Sequence, residues 1–528
     1  MESAPHFDFV VIGSGFGGSV SSLRLVEKGY RVALLEQGSD FSNADFAKTT
    51  WDLRRWLWMP AFGFRGIMQL RFFRHVTVLA GAGVGGGSLG YACTLPTPKS
   101  EFFRAESWAS LGDWEKELAP HYETAKRMLG VARVPRVFPA DRILQKVAEA
   151  RGKSEDFQVP EVGIFFGPAD RVSKDPFFNG AGPDRQGCRF CGACMTGCRF
   201  GAKNTLDKNY LYLARQAGLT LHADTEVIDV RPDARGYSVS ALAGRSGFRF
   251  ARRELRFTAE RVVFAAGALG TVELLLRLKA SGALPGLSDQ LGRRVRTNEE
   301  ALIAVTTNSR EQSMSQGVAI GSLLQTDERS HVEAVRYGEG SGFWRLLALP
   351  HVARDVPGAL KIVLAFLSVL RHPLRFMRAW LVPDWAKFTT VLLFMRSFEG
   401  SLGFRLRKGL FGGGLCTTLD GGPSPRASMP EASQLAEEYA EQANGVTVSL
   451  FTETLLNVPT TAHLLGGCCM GADAASGVID SRHRVFGHDG LFVVDGSAVS
   501  ANPGVNPSLS ITALAERAMS FIPPKLQL

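Results

Sequence analysis

Residues 8–36 read DFVVIGSGFGGSVSSLRLVEKGYRVALLE, and they carry the clearest indication of the fold. A short apolar strand, Asp8–Ile12, ends in a glycine-rich turn. A helical pattern follows as far as Lys28, and a second apolar strand, Val32–Leu35, ends at Glu36. Strand, turn, helix and strand within about 30 residues form a complete β-α-β unit, which predicts a doubly wound parallel sheet.

The glycine-rich turn fits the pattern G-x-G-x-x-G at Gly13, Gly15 and Gly18. The first glycine permits a tight turn, the second lets the backbone approach a pyrophosphate, and the third lets the helix pack on the strand. The unpaired N–H groups of the helix then face the phosphates. Glu36 is placed to accept a hydrogen bond from a ribose 2′-hydroxyl, which argues against NADP. In this context the pattern predicts a dinucleotide site rather than a plain glycine-rich turn.

The strand–turn–helix pattern occurs twice more, much later in the chain. Val262–Phe264 leads into a helix over Thr271–Arg277, and Leu491–Val494 is followed by a helix over Ser508–Ala518. Such pieces can be assembled into one sheet. The sequence therefore predicts an α/β protein, in which a Rossmann-like dinucleotide-binding domain is built from discontinuous segments and an α+β substrate-binding domain is inserted between them.

The expected domain boundaries follow from this assembly. The dinucleotide-binding domain takes residues 6–95, 200–300 and 456–528, a cap region with a cysteine cluster takes residues 96–199, and the substrate-binding domain takes residues 301–455. A chain of 528 residues with 45% hydrophobic and 21% charged residues has ordinary globular composition. This composition excludes disordered, collagenous and disulfide-scaffold classes and predicts more than one core.

The net charge of +9 is concentrated in two apolar segments, since residues 51–75 carry +4 and residues 341–387 carry +5. This make-up favours a peripheral contact with a membrane over a nucleic-acid partner. The alternative is that both segments are core helices. The apolar run Ile362–Leu370 is far shorter than the ~20 residues that cross a bilayer. Because the first strand begins by Asp8, we expect no secretory signal and a cytoplasmic protein, with attachment to the inner face of the membrane as an alternative.

Two further motifs suit a planar ring. Gly81–Ser88 reads GAGVGGGS, which has too little side chain to build a core and can lie flat against a ring; a flexible linker is the alternative. Near the C-terminus, Asn506 is the expected N-cap and Pro507 an expected first-turn residue of the last helix. If a flavin lies at that positive helix end, its anionic reduced form is stabilised. A well-capped helix without this role is the alternative.

His463 lies in the apolar loop TAHLLGGC at residues 461–468. An imidazole is a natural proton acceptor for an alcohol near neutral pH, since its unperturbed pKa lies close by. A histidine with a structural role only is the alternative. None of the other nine histidines has a comparable setting.

Five motifs in this order resemble the glucose-methanol-choline (GMC) oxidoreductase family over nearly the whole chain. They are the first glycine turn, GVGGGSL at 83–89, AAGALGTVELLLR at 265–277, the THPLGGC-like stretch around His463, and VVDGS with GVNPSL within 493–509. Within the family the chain looks most like bacterial cholesterol oxidase-like members, through GAKN at 201–204, LGRR at 291–294 and VRYG at 335–338.

The resemblance implies FAD, held noncovalently because residues 81–95 contain no histidine of the kind to which some family members attach the flavin. It implies that His463 and Asn506 bind the substrate hydroxyl, that His463 receives its proton, and that the hydride passes to flavin N5. The residues expected to bind the cofactor are Gly13, Gly15, Phe16, Gly18, Glu36, Gly85, Gly86, Gly87, Ser88, Val227, Ala266, Asp495, Gly496, Asn506 and Pro507.

Four cysteines, Cys188, Cys191, Cys194 and Cys198, have the spacing C-x2-C-x2-C-x3-C. This spacing occurs in bacterial ferredoxins, and some membrane-linked dehydrogenases of the family look similar at this point. The interpretations are an iron–sulfur cluster, a zinc or structural thiol site, or a vestigial or disulfide-forming set.

The apolar segments predict an apolar cavity, so a lipophilic alcohol such as a sterol or a long-chain or terpenoid alcohol fits better than a sugar or choline. The expected function is FAD-dependent oxidation of that alcohol in steroid or lipid metabolism, with oxygen, a quinone or a cytochrome as electron acceptor. The alternatives are a non-oxidase flavin reaction on a lipid, such as decarboxylation or isomerisation, and a membrane-surface flavoprotein for electron relay.

Overall fold

The structure is a computed structural model that describes residues 4–354, 356–400, 402–407, 414–421, 425 and 427–526. The helices are α1 (Phe16–Glu27), α2 (Leu53–Trp56), α3 (Ser100–Phe103), α4 (Trp114–Met128), α5 (Pro139–Ala150), α6 (Tyr210–Gln216), α7 (Gly267–Ala280), α8 (Gly358–Arg371), α9 (Pro373–Trp380), α10 (Trp385–Phe388), α11 (Pro430–Gln442), α12 (Phe451–Leu456) and α13 (Ser508–Ser520).

The strands are β1 (His6–Ile12), β2 (Val32–Leu35), β3 (Trp58–Met59), β4 (Phe64–Arg65), β5 (Met68–Phe72), β6 (Thr77–Gly81), β7 (Ala132–Arg133), β8 (Phe157–Gln158), β9 (Glu161–Val162), β10 (Val172–Ser173), β11 (Arg185–Gln186), β12 (Thr220–His222), β13 (Thr225–Asp233), β14 (Gly236–Ala243), β15 (Arg253–Phe264), β16 (Ala301–Thr307), β17 (Ile320–Gln325), β18 (Ser330–Val335), β19 (Ala348–Pro350), β20 (Thr389–Arg396), β21 (Leu402–Arg407), β22 (Gly414–Leu419), β23 (Gly445–Leu450), β24 (Thr460–Thr461) and β25 (Leu491–Val493).

The first large sheet has seven strands drawn from three separated parts of the chain. Its parallel part runs β12-β2-β1-β15, and β25 pairs with the end of β15. Val10 of β1 is in register with Ala33 of β2 on one side and Val262 of β15 on the other. β14 and β13 continue the sheet as antiparallel strands. The predicted Rossmann-like sheet of discontinuous segments is therefore confirmed.

Helices cover this sheet because its central strands are apolar on both faces. α1 packs against α6 and α13, and α4 packs against α13. Tyr122 of α4 donates a hydrogen bond to Ser510 of α13 over 2.8 Å, and Arg517 of α13 pairs with Glu117. Part of the expected cap region thus packs on the helices that cover the first sheet.

The second large sheet is antiparallel, and its seven strands run in the order β19-β23-β16-β20-β18-β17-β8. Successive side chains of a strand point to opposite faces. On β16, Ile303 and Val305 join a buried core with residues of α5 and α11, whereas Leu302 and Ala304 face a large cavity. This sheet with its helices has the α+β architecture expected of the inserted domain, and it forms one wall of the site.

The two basic, apolar segments differ in burial. Residues 51–75 contribute the buried Trp56 and Ile67 to a core, but they form mainly short strands rather than core helices, and Phe62 and Phe72 are exposed. In residues 341–387, Trp344 and Trp385 are also buried, but α8 and α9 lie largely exposed. Asp355, one of the acids of this segment, lies outside the described residues. No helix in the described ranges is long and apolar enough to cross a membrane.

Candidate active site

A cavity of about 640 Å³ extends from the glycine turns of the first sheet to the inner face of the second sheet. Three turns meet at one end, since Gly13 follows β1, Ala265 follows β15 and Val494 follows β25. The carboxyl ends of parallel strands are the usual binding edge of such a sheet. The second sheet contributes apolar side chains at the other end, among them Leu302, Val335, Val391, Leu393 and Val448.

Glycine is required at two positions of the first turn for steric reasons. A Cβ on Gly17 would lie 1.6 Å from the carbonyl oxygen of Val494, and one on Gly18 would lie 1.9 Å from that of Gly13. Gly13 also has a φ of 96°, which L side chains rarely adopt. These contacts pack α1 close to the sheet and fix the turn.

Gly15 differs from its neighbours because a Cβ there would point into the cavity, with the Ala265 carbonyl oxygen 4.0 Å away as its nearest contact. Gly267 at the start of α7 has no atom within 4 Å of such a Cβ, and the Cβ of Gly87 would meet only the Phe16 ring at 4.0 Å. These bare backbone stretches leave room for a ligand to approach the main chain. The residues therefore fit a dinucleotide whose pyrophosphate lies against the turn and the start of α1.

The Glu36 carboxylate is buried and bonded to the turn. It accepts hydrogen bonds from the Ser14 N–H at 3.0 Å, the Ser14 hydroxyl at 2.7 Å and the Gly38 N–H at 2.8 Å. Burial raises its pKa, and these hydrogen bonds oppose that rise. Glu36 lines the cavity, so its predicted contact with a ribose hydroxyl stays a prediction.

The second glycine cluster lies against the first turn. A Cβ on Gly86 would lie 2.7 Å from the Cα of Gly15, so only glycine lets the two backbones approach this closely. Gly86 and Gly87 line the cavity. Ser88 instead donates a hydrogen bond to the Gly85 carbonyl oxygen over 2.7 Å and accepts one from the Leu206 N–H. The cluster is therefore an ordered turn rather than a flexible linker.

Asp495 joins the turns at the ends of β15 and β25. One carboxylate oxygen accepts from the Gly267 N–H at 2.9 Å and from the Thr271 hydroxyl, and the other accepts from Ser497. Burial raises the pKa of Asp495 against these hydrogen bonds. This network holds the start of α7 beside the residues that precede α13.

The partly buried His463 and the buried Glu300 form a pair at the cavity wall. Nδ1 of His463 lies 2.5 Å from a carboxylate oxygen of Glu300, and the other oxygen accepts from the Ala462 N–H at 2.8 Å. Nε2 of His463 has no hydrogen-bond partner within the described ranges, and the residue lines the cavity. Burial lowers the His463 pKa, but the charge and hydrogen bond of Glu300 outweigh it, so the pKa is raised above its ordinary value.

Asn506 lies at the same end of the cavity, where its amide donates to Glu333 over 3.2 Å. Its buried Oδ1 has no hydrogen-bond partner, and neither has Oε1 of Glu333, among the described residues. The expectation that Asn506 caps α13 was wrong: Pro507 is the N-cap, and no side chain caps the helix. The Asn506 side chain is turned to Glu333 instead, which leaves one oxygen for a ligand.

Most of the predicted site residues meet in this one cavity. Gly18, Gly85 and Ser88 do not line it but hold its turns. The predicted residues that do line it are Gly13, Gly15, Phe16, Glu36, Gly86, Gly87, Val227, Ala266, His463, Asp495, Gly496, Asn506 and Pro507. Sequence reasoning missed Glu300 and Glu333, because no motif or spacing links either carboxylate to its partner.

The four clustered cysteines line a separate small cavity together with Lys203. No group of three or more His, Cys, Asp or Glu side chains in the described part of the chain could hold a metal ion. Cys194 interacts instead with Cys93, whose hydrogen bond lowers the Cys194 pKa to about 6, and the Cys188 sulfur accepts from the Phe190 N–H. The iron–sulfur and zinc interpretations are therefore not supported. All eight cysteines, each within the described ranges, are free thiols.

The chain is similar to proteins of known family and fold. Residues 180–295 and 420–515 each match a family model described as GMC oxidoreductase. A cholesterol oxidase from Acinetobacter baumannii is 44% identical over 98% of this chain and 95% of its own length. A cholesterol oxidase from Mycobacterium tuberculosis is 43% identical over 99% of this chain and 92% of its own length. The crystal structure of pyridoxine 4-oxidase from Mesorbium loti shares the fold, with a TM-score of 0.64 at 16% identity over 97% of this chain and 99% of that one.

Proposed function

We propose that this chain, which belongs to the GMC oxidoreductase family and is an FAD-dependent alcohol oxidoreductase, oxidises the CH–OH group of a lipophilic alcohol. The proposed substrates are sterols and long-chain or terpenoid alcohols, and the proposed acceptor is oxygen, because its relatives are named cholesterol oxidases. The observation that carries the proposal is the His463–Glu300 pair, which faces an apolar cavity beside the glycine turns.

FAD, when bound, supplies a two-electron acceptor for the hydride of the carbinol carbon. The bare backbone at Gly15, Gly87 and Gly267 would hold it, and Glu36 is proposed to contact its ribose. In this proposal the chain aligns the alcohol, accepts its proton and excludes water from the reacting carbon.

His463 is the proposed proton acceptor. Glu300 accepts the hydrogen bond of Nδ1–H, which leaves the Nε2 lone pair free toward the cavity. When Nε2 takes the hydroxyl proton, the imidazolium that forms lies beside a carboxylate that stabilises it. Glu300 is therefore proposed as a positioning residue that sets both the tautomer and the basicity of His463.

Asn506 is proposed to bind the substrate hydroxyl. Its side-chain Oδ1 lacks a partner, whereas the amide nitrogen is held by Glu333. An alcohol O–H could donate to Oδ1 before the proton leaves for His463. A buried oxygen that gains a partner only when substrate binds favours the bound state.

The apolar end of the cavity supports a lipophilic substrate over a sugar. Ile320, Leu393 and Leu450 face it, and the rings of Trp344 and Trp385 close it. Such a wall provides apolar contact area for an aliphatic or ring skeleton, and it has few polar groups that could hydrogen-bond to several hydroxyls.

Anaerobic reduction of the bound flavin tests the proposal. The oxidised holoenzyme is mixed with sterols, terpenols and fatty alcohols, and with glucose and choline as polar controls. We expect the flavin absorbance to bleach with one or more of the apolar alcohols and to persist with the polar ones. Bleaching by glucose or choline alone would contradict the proposed substrate class, and turnover of a lipid without bleaching by any alcohol would favour a non-oxidase flavin reaction.

A further inference from the structure

The pair of helices α8 and α9, residues 358–380, together with the following Leu381, presents an apolar face to the outside. We call this segment the hairpin. Of the 23 large apolar side chains that are exposed in the described part of the chain, ten belong to it. They are Leu360, Ile362, Val363, Phe366, Leu367, Leu370, Leu374, Met377, Trp380 and Leu381. Exposed apolar side chains concentrated in one segment in this way mark an interaction site rather than ordinary scatter.

The arrangement of α8 is inverted relative to that of a core helix. Its buried residues are Lys361 and Ala365, while Phe366 is 63% exposed. The Lys361 ammonium donates to the Ser428 hydroxyl over 2.8 Å and to the Asn457 side-chain oxygen over 2.7 Å. A buried lysine with two polar partners fixes the rotation of α8, so its leucines and phenylalanine must point outward.

The charge of the hairpin indicates which partner covers it. The sequence contains no Asp or Glu from Val356 to Pro383, and Arg371, Arg375 and Arg378 are exposed. Two copies of so basic a surface would repel each other, whereas anionic lipid headgroups would attract it. Apolar side chains together with flanking arginines are typical of helices that lie in a membrane interface.

The position of the hairpin connects it to the cavity. α8 packs on α12 and β19, and α9 packs on β23. Ala348 of β19 and Leu450 of β23 line the apolar end of the cavity. The exposed Leu456, at the end of α12, continues the apolar surface.

We propose that the hairpin inserts its apolar face into one leaflet of an anionic lipid bilayer and places the apolar end of the cavity at the membrane surface. α8 has 14 residues, so at 1.5 Å per residue its length of about 21 Å allows it to lie in a leaflet but not to cross the bilayer. Insertion itself does not depend on the proposed function. Only the corollary that a lipophilic substrate enters from the bilayer rests on it.

Vesicle flotation of the full-length holoenzyme tests this proposal. Vesicles of phosphatidylcholine alone are compared with vesicles that also contain phosphatidylglycerol, at low and high salt. We expect flotation with the anionic vesicles and weaker flotation at high salt, because salt screens the arginines. Absence of the protein from both vesicle fractions at low salt would overturn the proposal.

Two double variants locate the contact. Phe366→Ser with Leu370→Ser removes apolar side chains from the hairpin, and Phe248→Ser with Phe250→Ser removes two others, 65% and 88% exposed, from a turn after β14. The first variant should lose roughly tenfold or more in vesicle partitioning, and the second should keep it within about twofold. Equal flotation of the hairpin variant and the wild type would contradict the assignment.

Two further measurements distinguish loss of membrane binding from damage to the site and from loss of a dimer. Flavin bleaching of the hairpin variant by a terpenol in detergent solution, without vesicles, should equal that of the wild type if the site is intact, whatever the result of flotation. Sedimentation without vesicles should give the same mass for both proteins. A wild-type dimer that the hairpin substitutions dissociate would show that a second copy covers this face, and the membrane proposal would be wrong.

Discussion

Nδ1 of His463 lies 2.5 Å from the Glu300 carboxylate, and the same carboxylate accepts the Ala462 N–H through its other oxygen. Both oxygens are thus committed to the loop that carries His463. The histidine ring is held in one orientation, and its Nε2 has no hydrogen-bond partner among the described residues. The basicity of His463, which follows β24, therefore depends on Glu300, which directly precedes β16.

Replacement of Glu300 by Gln should shift the pH dependence of flavin reduction. The neutral, proton-accepting imidazole predominates only above the His463 pKa, which Glu300 raises. The rate should therefore rise with pH through that pKa, and Glu300→Gln should move the rise to lower pH. The limiting rate should fall about tenfold to hundredfold, because the imidazolium loses its carboxylate. Rapid-mixing absorbance across pH measures both effects.

Glu299→Gln is the matched control for that shift. Glu299 precedes Glu300 directly but pairs with Arg396 over 2.7 Å. Its substitution should leave the pH profile in place. A profile that moves equally in both variants would show that the effect is general electrostatics rather than the His463 contact.

Asn506→Ala should weaken alcohol binding and slow flavin reduction. The change removes the unpartnered Oδ1 and leaves Glu333 without the amide donor that lies 3.2 Å away. We expect kcat/KM to fall about tenfold to hundredfold, from loss of one hydroxyl contact and of alignment. Steady-state kinetics of the folded holoenzyme measure this. Asn502→Ala removes an amide that donates to the Phe398 carbonyl oxygen. This control should lower the unfolding free energy and leave kcat/KM nearly unchanged.

Gly15→Ala and Gly17→Ala should fail in different ways. Gly15 has an extended backbone, φ −67° and ψ −167°, and a new Cβ would enter the cavity, so the variant should fold but retain FAD poorly. Gly17→Ala would place a Cβ 1.6 Å from the Val494 carbonyl oxygen. It should lose roughly 3 kcal/mol or more in unfolding free energy. Flavin content and thermal unfolding separate the two. Equal flavin retention in Gly15→Ala and wild type would count against the pyrophosphate site.

Arg336→Met should destabilise the protein. Arg336 pairs with Asp141 of α5 where both side chains are fully buried, and the loss of the arginine leaves a buried carboxylate unpaired. The unfolding free energy should fall by roughly 3–5 kcal/mol. Arg104→Met removes an exposed pair with Glu115 and should change it by no more than about 1 kcal/mol. Similar denaturation midpoints for both variants would contradict this account of the buried pair.

The first sheet could be predicted from the sequence because its signals are local. Val32–Leu35 has the predicted bounds, and the predicted Thr271–Arg277 helix is the middle of the longer α7. Glycine turns and apolar strands determine their own backbone, so their convergence follows from the topology of a parallel sheet.

The carboxylates of the site could not be predicted in this way. Glu300 follows Glu299 just before β16, and nothing in the sequence distinguishes the one that meets His463 from the one that meets Arg396. The burial of Glu333 on β18 likewise depends on the assembled sheet. For the cysteines, in contrast, the sequence pattern suggested a metal site that the described part of the chain does not show. A regular spacing does not by itself bring the thiols into the geometry that a metal needs.

Anaerobic mixing of the oxidised holoenzyme with a sterol or a long-chain alcohol tests whether the protein oxidises a lipophilic alcohol with His463 as the proton acceptor. We expect the flavin absorbance of the wild type to bleach in a single turnover, and that of His463→Ala to bleach at least about a hundredfold more slowly, while FAD content stays equal. Undiminished bleaching in His463→Ala, or wild-type flavin that no apolar alcohol reduces, would contradict the account.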